Sequence, residues 1–277
     1  MSKLSQLWCS VRISIITVSY HSPHILHYMP LIVEISFSST ANISPVDLSI
    51  PVLILSSSLI TDVTGYVAVD TTNSLIVVSF RGSGSVRNYL TDLNFHNIDA
   101  SELCDGCEAF DGFYTSWKEA RTGVLSSVKS AAAANPSFQI VCVGHSLGGA
   151  VAVFAATELR NSNYSVSLYT FGQPRIGPKK VSDYITDQGD NYRITHKKDP
   201  VPKLPPLLLG YVHVSPEYYL SGANDEEVTI DGVDGPLEGS VNFMGNSGSL
   251  AIDFAAHGWP DVFEFRKRDV FRVPLRV

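Results

Sequence analysis

One stretch limits the folds open to this chain more than any other: residues 139–159, QIVCVGHSLGGAVAVFAATEL. It opens on Ile140-Val141-Cys142-Val143, short and β-branched enough for a buried strand. Gly144-His145-Ser146-Leu147-Gly148 follows, a G-x-S-x-G. Ala150, Val151, Val153, Phe154, Ala155 and Leu159 then suit a well-buried helix. Strand, tight turn with a central serine, helix is the setting that makes the pentapeptide a nucleophile elbow; without those flanks it reads as an ordinary glycine turn. The glycines sit where neighbouring backbone would collide with a side chain. The turn lifts the Ser146 hydroxyl above the sheet edge, and the helix N-terminus beneath offers N–H groups to a developing oxyanion. His145 is adjacent in sequence, but the residue beside the serine on such a turn points elsewhere. It reads as a packing or hydrogen-bonding residue, so a base must come from a distant part of the chain.

Composition narrows the function classes. The 277 residues suffice for one large α/β domain with its own core. They are 44% hydrophobic and 17% charged, a globular balance. A net charge of −7 without a basic patch argues against nucleic acid, and no uninterrupted apolar run is long enough to span a bilayer. Of the four cysteines, Cys142 falls in the strand before the elbow and reads as a buried free thiol. Cys104-Asp105-Gly106-Cys107 lacks the second Cys or His pair of a zinc site and the strand-then-helix setting of a redox motif. A local disulfide of a secreted protein fits it better than two free thiols.

Residues 1–60 differ in texture from the rest. They hold only Lys3, Arg12, Glu34 and Asp47 as charges, no glycine, and Pro23, Pro30, Pro45 and Pro51 to interrupt any helix. Lys3 and the apolar run after it resemble the start of a signal peptide, but Arg12 breaks that run and no small-x-small cleavage site follows. His21, His24 and His27 have no carboxylate or thiol partner at ligand spacing, so they read as surface histidines and not as a metal site. From residue 61 the pattern sharpens. A strand over 65–70, a turn over 71–74 and a more buried strand over 75–80 run into Arg81-Gly82-Ser83-Gly84-Ser85. An esterase of this architecture takes a second oxyanion donor from a loop after an early strand, and Ser83 is the candidate, with a plain Gly/Ser loop as the alternative. Val86, Tyr89, Leu90 and Leu93 then fall at i, i+3, i+4 and i+7. That stripe belongs either to an ordinary surface helix or to a lid that opens at an interface.

Phe113, Trp117, Ala120, Val124, Val128 and Ala131 predict a long amphipathic helix stopped by Asn135-Pro136. Strands over 165–171 and 192–196 and a short helix over 181–187 follow the elbow. Such alternation predicts an α/β fold, a mostly parallel central sheet flanked by helices, with active groups at the strands' C-terminal ends. In this chain order the acid follows the serine and the histidine comes last. Asp199, just past a strand, is preferred to Asp183, Asp187 and Asp190. After Ser146 only His196, His213 and His257 remain; His196 precedes the acid and His213 lies within a further expected strand, so His257, among small loop residues, ranks ahead of His213.

These residues resemble a known family. Ser79-Phe80-Arg81-Gly82-Ser83, the C-x-x-C, Gly144-His145-Ser146-Leu147-Gly148-Gly149, Tyr169-Thr170-Phe171-Gly172-Gln173-Pro174-Arg175-Ile176-Gly177 and Tyr192-Arg193-Ile194-Thr195-His196 are similar to the fungal class 3 lipases. So are Asp199-Pro200-Val201-Pro202-Lys203-Leu204-Pro205-Pro206, Pro216-Glu217-Tyr218-Tyr219 and Ala256-His257-Gly258-Trp259. The family comprises filamentous-fungal triacylglycerol lipases, mono- and diacylglycerol lipases and feruloyl esterases. The resemblance covers residues 61–259. It implies an α/β-hydrolase fold with a short helical lid and a secreted serine esterase without metal or cofactor. It implies Ser146 as nucleophile, Asp199 as acid, His257 as base, Ser83 and Leu147 at the oxyanion positions, and a lid carrying Val86, Tyr89, Leu90 and Leu93.

Residues 1–60 and the charged tail 260–277 depart from the family pattern, and the expectation is that both derive from mispredicted gene structure. Of the two N-glycosylation sequons, at Asn42 and Asn163, only Asn163 lies in the matched region and is the expected acceptor. The apolar stripe over 86–93 favours acylglycerol substrates at a lipid–water interface over aromatic or carbohydrate esters, and an inactive or misfolded relative remains the alternative of a different class. A monomer is expected.

Overall fold

The computed structural model describes residues 8–16, 32–36, 53–55, 63–71, 73–82, 95–222, 233–257 and 271–274. In chain order the strands are β1 (Trp8–Ile16), β2 (Ile32–Ser36), β3 (Leu53–Leu55), β4 (Gly65–Asp70), β5 (Leu75–Phe80), β6 (Asn97–Asp99) and β7 (Glu108–Phe110). Helix α1 (Asp111–Ala134) leads to β8 (Gln139–His145), α2 (Leu147–Asn161), β9 (Val166–Phe171), β10 (Gly177–Pro178), α3 (Lys179–Asp187) and β11 (Asn191–His196). Then come β12 (Tyr211–Val212), β13 (Glu217–Leu220), β14 (Val233–Leu237) and β15 (Phe271–Pro274).

Among the described residues eight strands form the main sheet, in the order β14-β13-β11-β9-β8-β5-β4-β3. The inner pairs β5–β8, β8–β9, β9–β11 and β11–β13 are parallel, while β3–β4, β4–β5 and β13–β14 are antiparallel. Parallel neighbours need crossovers, and α1 and α2 supply the helices between β5, β8 and β9. A separate antiparallel sheet, β15-β1-β2, pairs the two ends of the chain.

The inner strands read as apolar runs because both faces are covered. Along β8, Ile140 and Cys142 join one core cluster, and Val141 and Val143 join the other on the opposite face. The first cluster is closed by α1 and α2. Phe113, Trp117, Ala120, Val124 and Val128 put one stripe of α1 into it. α2 is buried almost all round, from Leu147 to Leu159, so its sequence carries no polar face. The two helices meet edge to face at Tyr114 and Phe154 (5.2 Å between centroids). Arg121 and Trp117 both donate to the Glu158 carboxylate, the indole at 3.0 Å, which fixes the helices' mutual register. At β8 the chain turns into α2 beneath the central strand ends. A Cβ at Gly148 would overlap the Phe80 carbonyl oxygen and fall 2.6 Å from that of Arg81, so the helix packs this close only because residue 148 has no side chain.

Candidate active site

Ser146 occupies the turn between β8 and α2 with φ 56° and ψ −127°, a left-handed conformation costly for any residue with a Cβ. The turn is held by the Ser146 N–H donating to the Phe171 carbonyl at 2.9 Å, and by its own carbonyl accepting from Gly149 N–H at 3.0 Å. Leu147 follows as the first helical residue, whose N–H has no acceptor within the helix.

Two further buried groups meet Ser146 from other strand ends. Asp199 lies three residues beyond β11, and its Oδ1 accepts the Val201 N–H at 2.9 Å. Its Oδ2 is 2.9 Å from Nδ1 of His257, whose Nε2 is 2.9 Å from the Ser146 hydroxyl. A carboxylate only accepts, so Nδ1 carries a hydrogen, and in the neutral ring Nε2 is the acceptor for the serine hydroxyl. All three residues are buried.

Asp199 is braced from behind. Asn246 Nδ2 donates to the carbonyls of Lys197 and Asp199, each at 3.0 Å, and its N–H donates to Glu217 Oε1 at 3.0 Å. Glu217 pairs with Arg193 at 3.2 Å, both side chains almost wholly buried, and accepts the Thr195 hydroxyl. Burial alone would raise the Glu217 carboxyl pKa; the Arg193 guanidinium and these hydrogen bonds outweigh it and hold the pKa below the usual range. This cluster is absent from the sequence reading. A charged Arg193 between Tyr192 and Ile194 in an expected strand was its one signal.

The other sequence candidates fall elsewhere. His213 was expected within a strand, but β12 stops at Val212 because only Tyr211 and Val212 find a partner in β10. The His213 ring donates from Nε2 to the Pro202 carbonyl at 2.7 Å, buried away from Ser146. His196 ends β11 and faces the carbonyls of Ala256 and Gly222. Asp183 pairs with Lys179 along α3, and Asp187 and Asp190 are exposed. His145 lies beside the His257 ring, with centroids 4.6 Å apart and planes at 30°.

Ser83 and the stripe of Val86, Tyr89, Leu90 and Leu93 lie outside the described residues, as do Asn42 and the histidines at 21, 24 and 27. Gly82, just before Ser83, abuts Ser146: a Cβ there would lie 3.1 Å from the Ser146 Cβ. Cys104 and Cys107 form a disulfide in the loop joining β6 and β7. Cys142 is a free thiol, its pKa pushed up to about 12 by burial. Asn163 is exposed in the turn after α2. Among the described residues no group of three or more His, Cys, Asp or Glu is placed to hold a metal, and no helix is long and apolar enough to cross a membrane.

Comparison with known proteins identifies the family of the chain. Residues 77–209 match the family model described as lipase (class 3). The chain is 49% identical over 208 residues to secreted mono- and diacylglycerol lipase A of Penicillium cyclopium, covering 74% of this chain and 68% of that protein. It is 43% identical to secreted mono- and diacylglycerol lipase 1 of Fusarium solani, over 71% of this chain and 59% of that one. The solved mono- and diacylglycerol lipase of Aspergillus oryzae superposes with a TM-score of 0.71 at 47% identity, covering 75% and 78% of the two chains. A triacylglycerol lipase whose catalytic centre is a serine protease triad superposes with a TM-score of 0.58 at 32% identity, over 62% and 67%. An elbow serine on a mostly parallel sheet, matched at this identity across most of both chains, leaves one conclusion: the chain belongs to the class 3 lipase family and has its α/β-hydrolase fold.

Proposed function

We propose that this protein is a secreted lipase that hydrolyses acylglycerol esters through an acyl-enzyme on Ser146, with His257 as base and Asp199 as its orienting acid. The observation that carries the reading is the position of the His257 ring, 2.9 Å from the Ser146 hydroxyl on one side and 2.9 Å from the Asp199 carboxylate on the other. His257 Nε2 takes the Ser146 proton as Oγ bonds to the ester carbonyl carbon. The imidazolium, stabilised by Asp199, then protonates the departing alkoxide, and water repeats the cycle to release the fatty acid. The Leu147 N–H at the start of α2 and groups of Ser83 hold the oxyanion. A single donor of this kind is worth about 2.7–4 kcal/mol. The close approach of Gly82 to Ser146 supports Ser83 in that role.

Secretion, a disulfide-bearing fold and a glycan at Asn163 form one consistent reading, supported by relatives named as secreted lipases. Preference for mono- and diacylglycerols rests on the names of the same relatives. A monomer working at the lipid–water interface is proposed, with Val86, Tyr89, Leu90 and Leu93 as the hidden face of a lid. Support comes from exposed apolar side chains in the segments that precede His257 and follow Asp199 in the chain: Leu208 is 94% exposed and Leu250 99%, with Phe243, Met244 and Ile252 also exposed. Lys203 donates to the carbonyls of Ser249 and Ala251, both at 2.7 Å, and so holds the stretch that carries Leu250.

The test is hydrolysis of emulsified tributyrin, monoolein and methyl ferulate by the wild type and by Ser146→Ala. The reading predicts glyceride hydrolysis that jumps above the tributyrin solubility limit and vanishes in Ser146→Ala, whose melting temperature stays near that of the wild type. Ferulate turnover without such a jump would replace it with a plant-wall esterase; undiminished turnover in Ser146→Ala would remove the nucleophile.

A further inference from the structure

His257 sits at the end of an irregular stretch, residues 249–257, outside any strand or helix. A base on a loop must be held by something other than sheet or helix hydrogen bonds. An error of about 1 Å in such a group costs on the order of a hundredfold in rate. The ties that fix this stretch are therefore functional parts of the site, and one of them comes from a residue that the proposed mechanism leaves unused. The backbone carbonyl of His257 lies 3.0 Å from Nε2 of His145, the residue preceding the nucleophile. The carbonyl before it, on Ala256, lies 3.3 Å from Nδ1 of His196 at the end of β11. The Asp253 N–H donates to the Lys198 carbonyl at 3.0 Å, one residue before the acid. The same strand ends that deliver Ser146 and Asp199 thus also hold the main chain of the base.

We propose that His145 is a positioning residue: its Nε2–H, donated to the His257 carbonyl, locks the base over Ser146. A carbonyl oxygen only accepts, so the contact requires the Nε2–H tautomer. The packing suits that demand. The His145 ring lies against that of His257, and a second imidazolium there would oppose the one formed during turnover. Withdrawal from water first, and the His257 ring second, pull the His145 pKa down to about 3, so His145 stays uncharged through the working range. One element, the β8–α2 turn, then sets the nucleophile and the base's backbone together, so that a shift of the elbow carries both.

The inference rests on His257 being the base, and the variants separate the two. Ser146→Ala and His257→Ala test the proposed function. His145→Leu removes the donor, and His145→Gln returns an N–H near the Nε2 position. With a soluble short-chain ester, His145→Leu is expected to lose about a hundredfold in kcat with KM unchanged, and His145→Gln to recover most of it at an equal or lower melting temperature. Wild-type kcat in His145→Leu, with Ser146→Ala and His257→Ala inactive, overturns the positioning role and leaves the mechanism standing. Equal losses in Leu and Gln variants, tracking their melting temperatures, also overturn it, because packing alone then accounts for the residue. Should His145→Leu fail to fold, ring nitrogen NMR of the wild-type protein decides. An Nε2 of His145 that carries hydrogen throughout the active pH range supports the inference; a bare Nε2 there sinks it.

Discussion

At the scale of single residues the site is crowded enough for one methyl group to test it. Gly172 follows β9 with φ 55°, on the left-handed side that glycine tolerates best. A Cβ there would sit 3.0 Å from Asp199 Oδ2 and 3.1 Å from both Cε1 and Nδ1 of the His257 ring. Gly172→Ala is therefore expected to press on the contact between Asp199 and His257. Stability should fall by about 1 kcal/mol or more from backbone strain, and, with His257 as the proposed base, kcat by tenfold or more, since a modest displacement of that ring is enough. Steady-state kinetics beside a urea melt would check this; lost stability with kcat intact would show that the pair accommodates the methyl group. Ser146 itself was legible in the sequence because its elbow is local: five residues, a strand before and a helix after. The hydrogen bond between His145 and the His257 carbonyl was not, because it joins residues 112 apart and involves a main-chain oxygen that leaves no compositional trace.

At the scale of elements, β11 and β13 form a parallel pair that carries a buried charge across it. Arg193 and Glu217 are register partners, and the guanidinium also donates from Nε to the Val214 carbonyl at 2.8 Å. Removing one member of such a pair leaves the other charge uncompensated, at a cost of about 3–5 kcal/mol. Glu217→Ala is thus expected to destabilise the fold by that order in urea denaturation. Because Asn246 spans Glu217 and the Asp199 carbonyl, it should also lower kcat before it unfolds the protein. A double variant with Arg193→Met, which deletes both charges, should regain part of the stability; a cycle without coupling would show that the pair contributes only volume. Most elements were legible because their period is local. The stripe of α1 repeats every three or four residues, and β5, β8 and β9 are short β-branched runs. The cluster behind Asp199 draws on residues 193, 195, 217 and 246, and β10–β12 is a two-residue ladder. Long-range pairing decides both, and no local period reports it.

At the scale of the whole molecule, burial of histidines makes stability depend on pH. His145, His196 and His213 all have lowered pKa values, and withdrawal from water is the first cause for each. For His213 the nearby Arg193 and Arg175 guanidiniums add to it, and the Pro202 carbonyl opposes it. Each ring takes up its proton near pH 6.5 in the unfolded chain but only at lower pH in the fold. Below pH 6.5 the unfolded state therefore binds more protons, and stability must fall as pH drops, by about 1.4 kcal/mol per pH unit for each such histidine until its native pKa is reached. Glu217 acts in the same direction at lower pH. Its native pKa is depressed, so its contribution, present above the unfolded value, is lost as acid reaches the folded one. The expected outcome is a urea midpoint that is flat near neutrality and declines steadily from pH 6.5 to pH 4. His213→Gln isolates one contribution, because the amide can still donate to the Pro202 carbonyl while nothing titrates. The gap between wild type and variant should then close, or reverse, by about 1.4 kcal/mol per unit on acidification. Parallel curves would mean that His213 takes up its proton at the same pH folded and unfolded, and that the neighbouring arginines are screened from it.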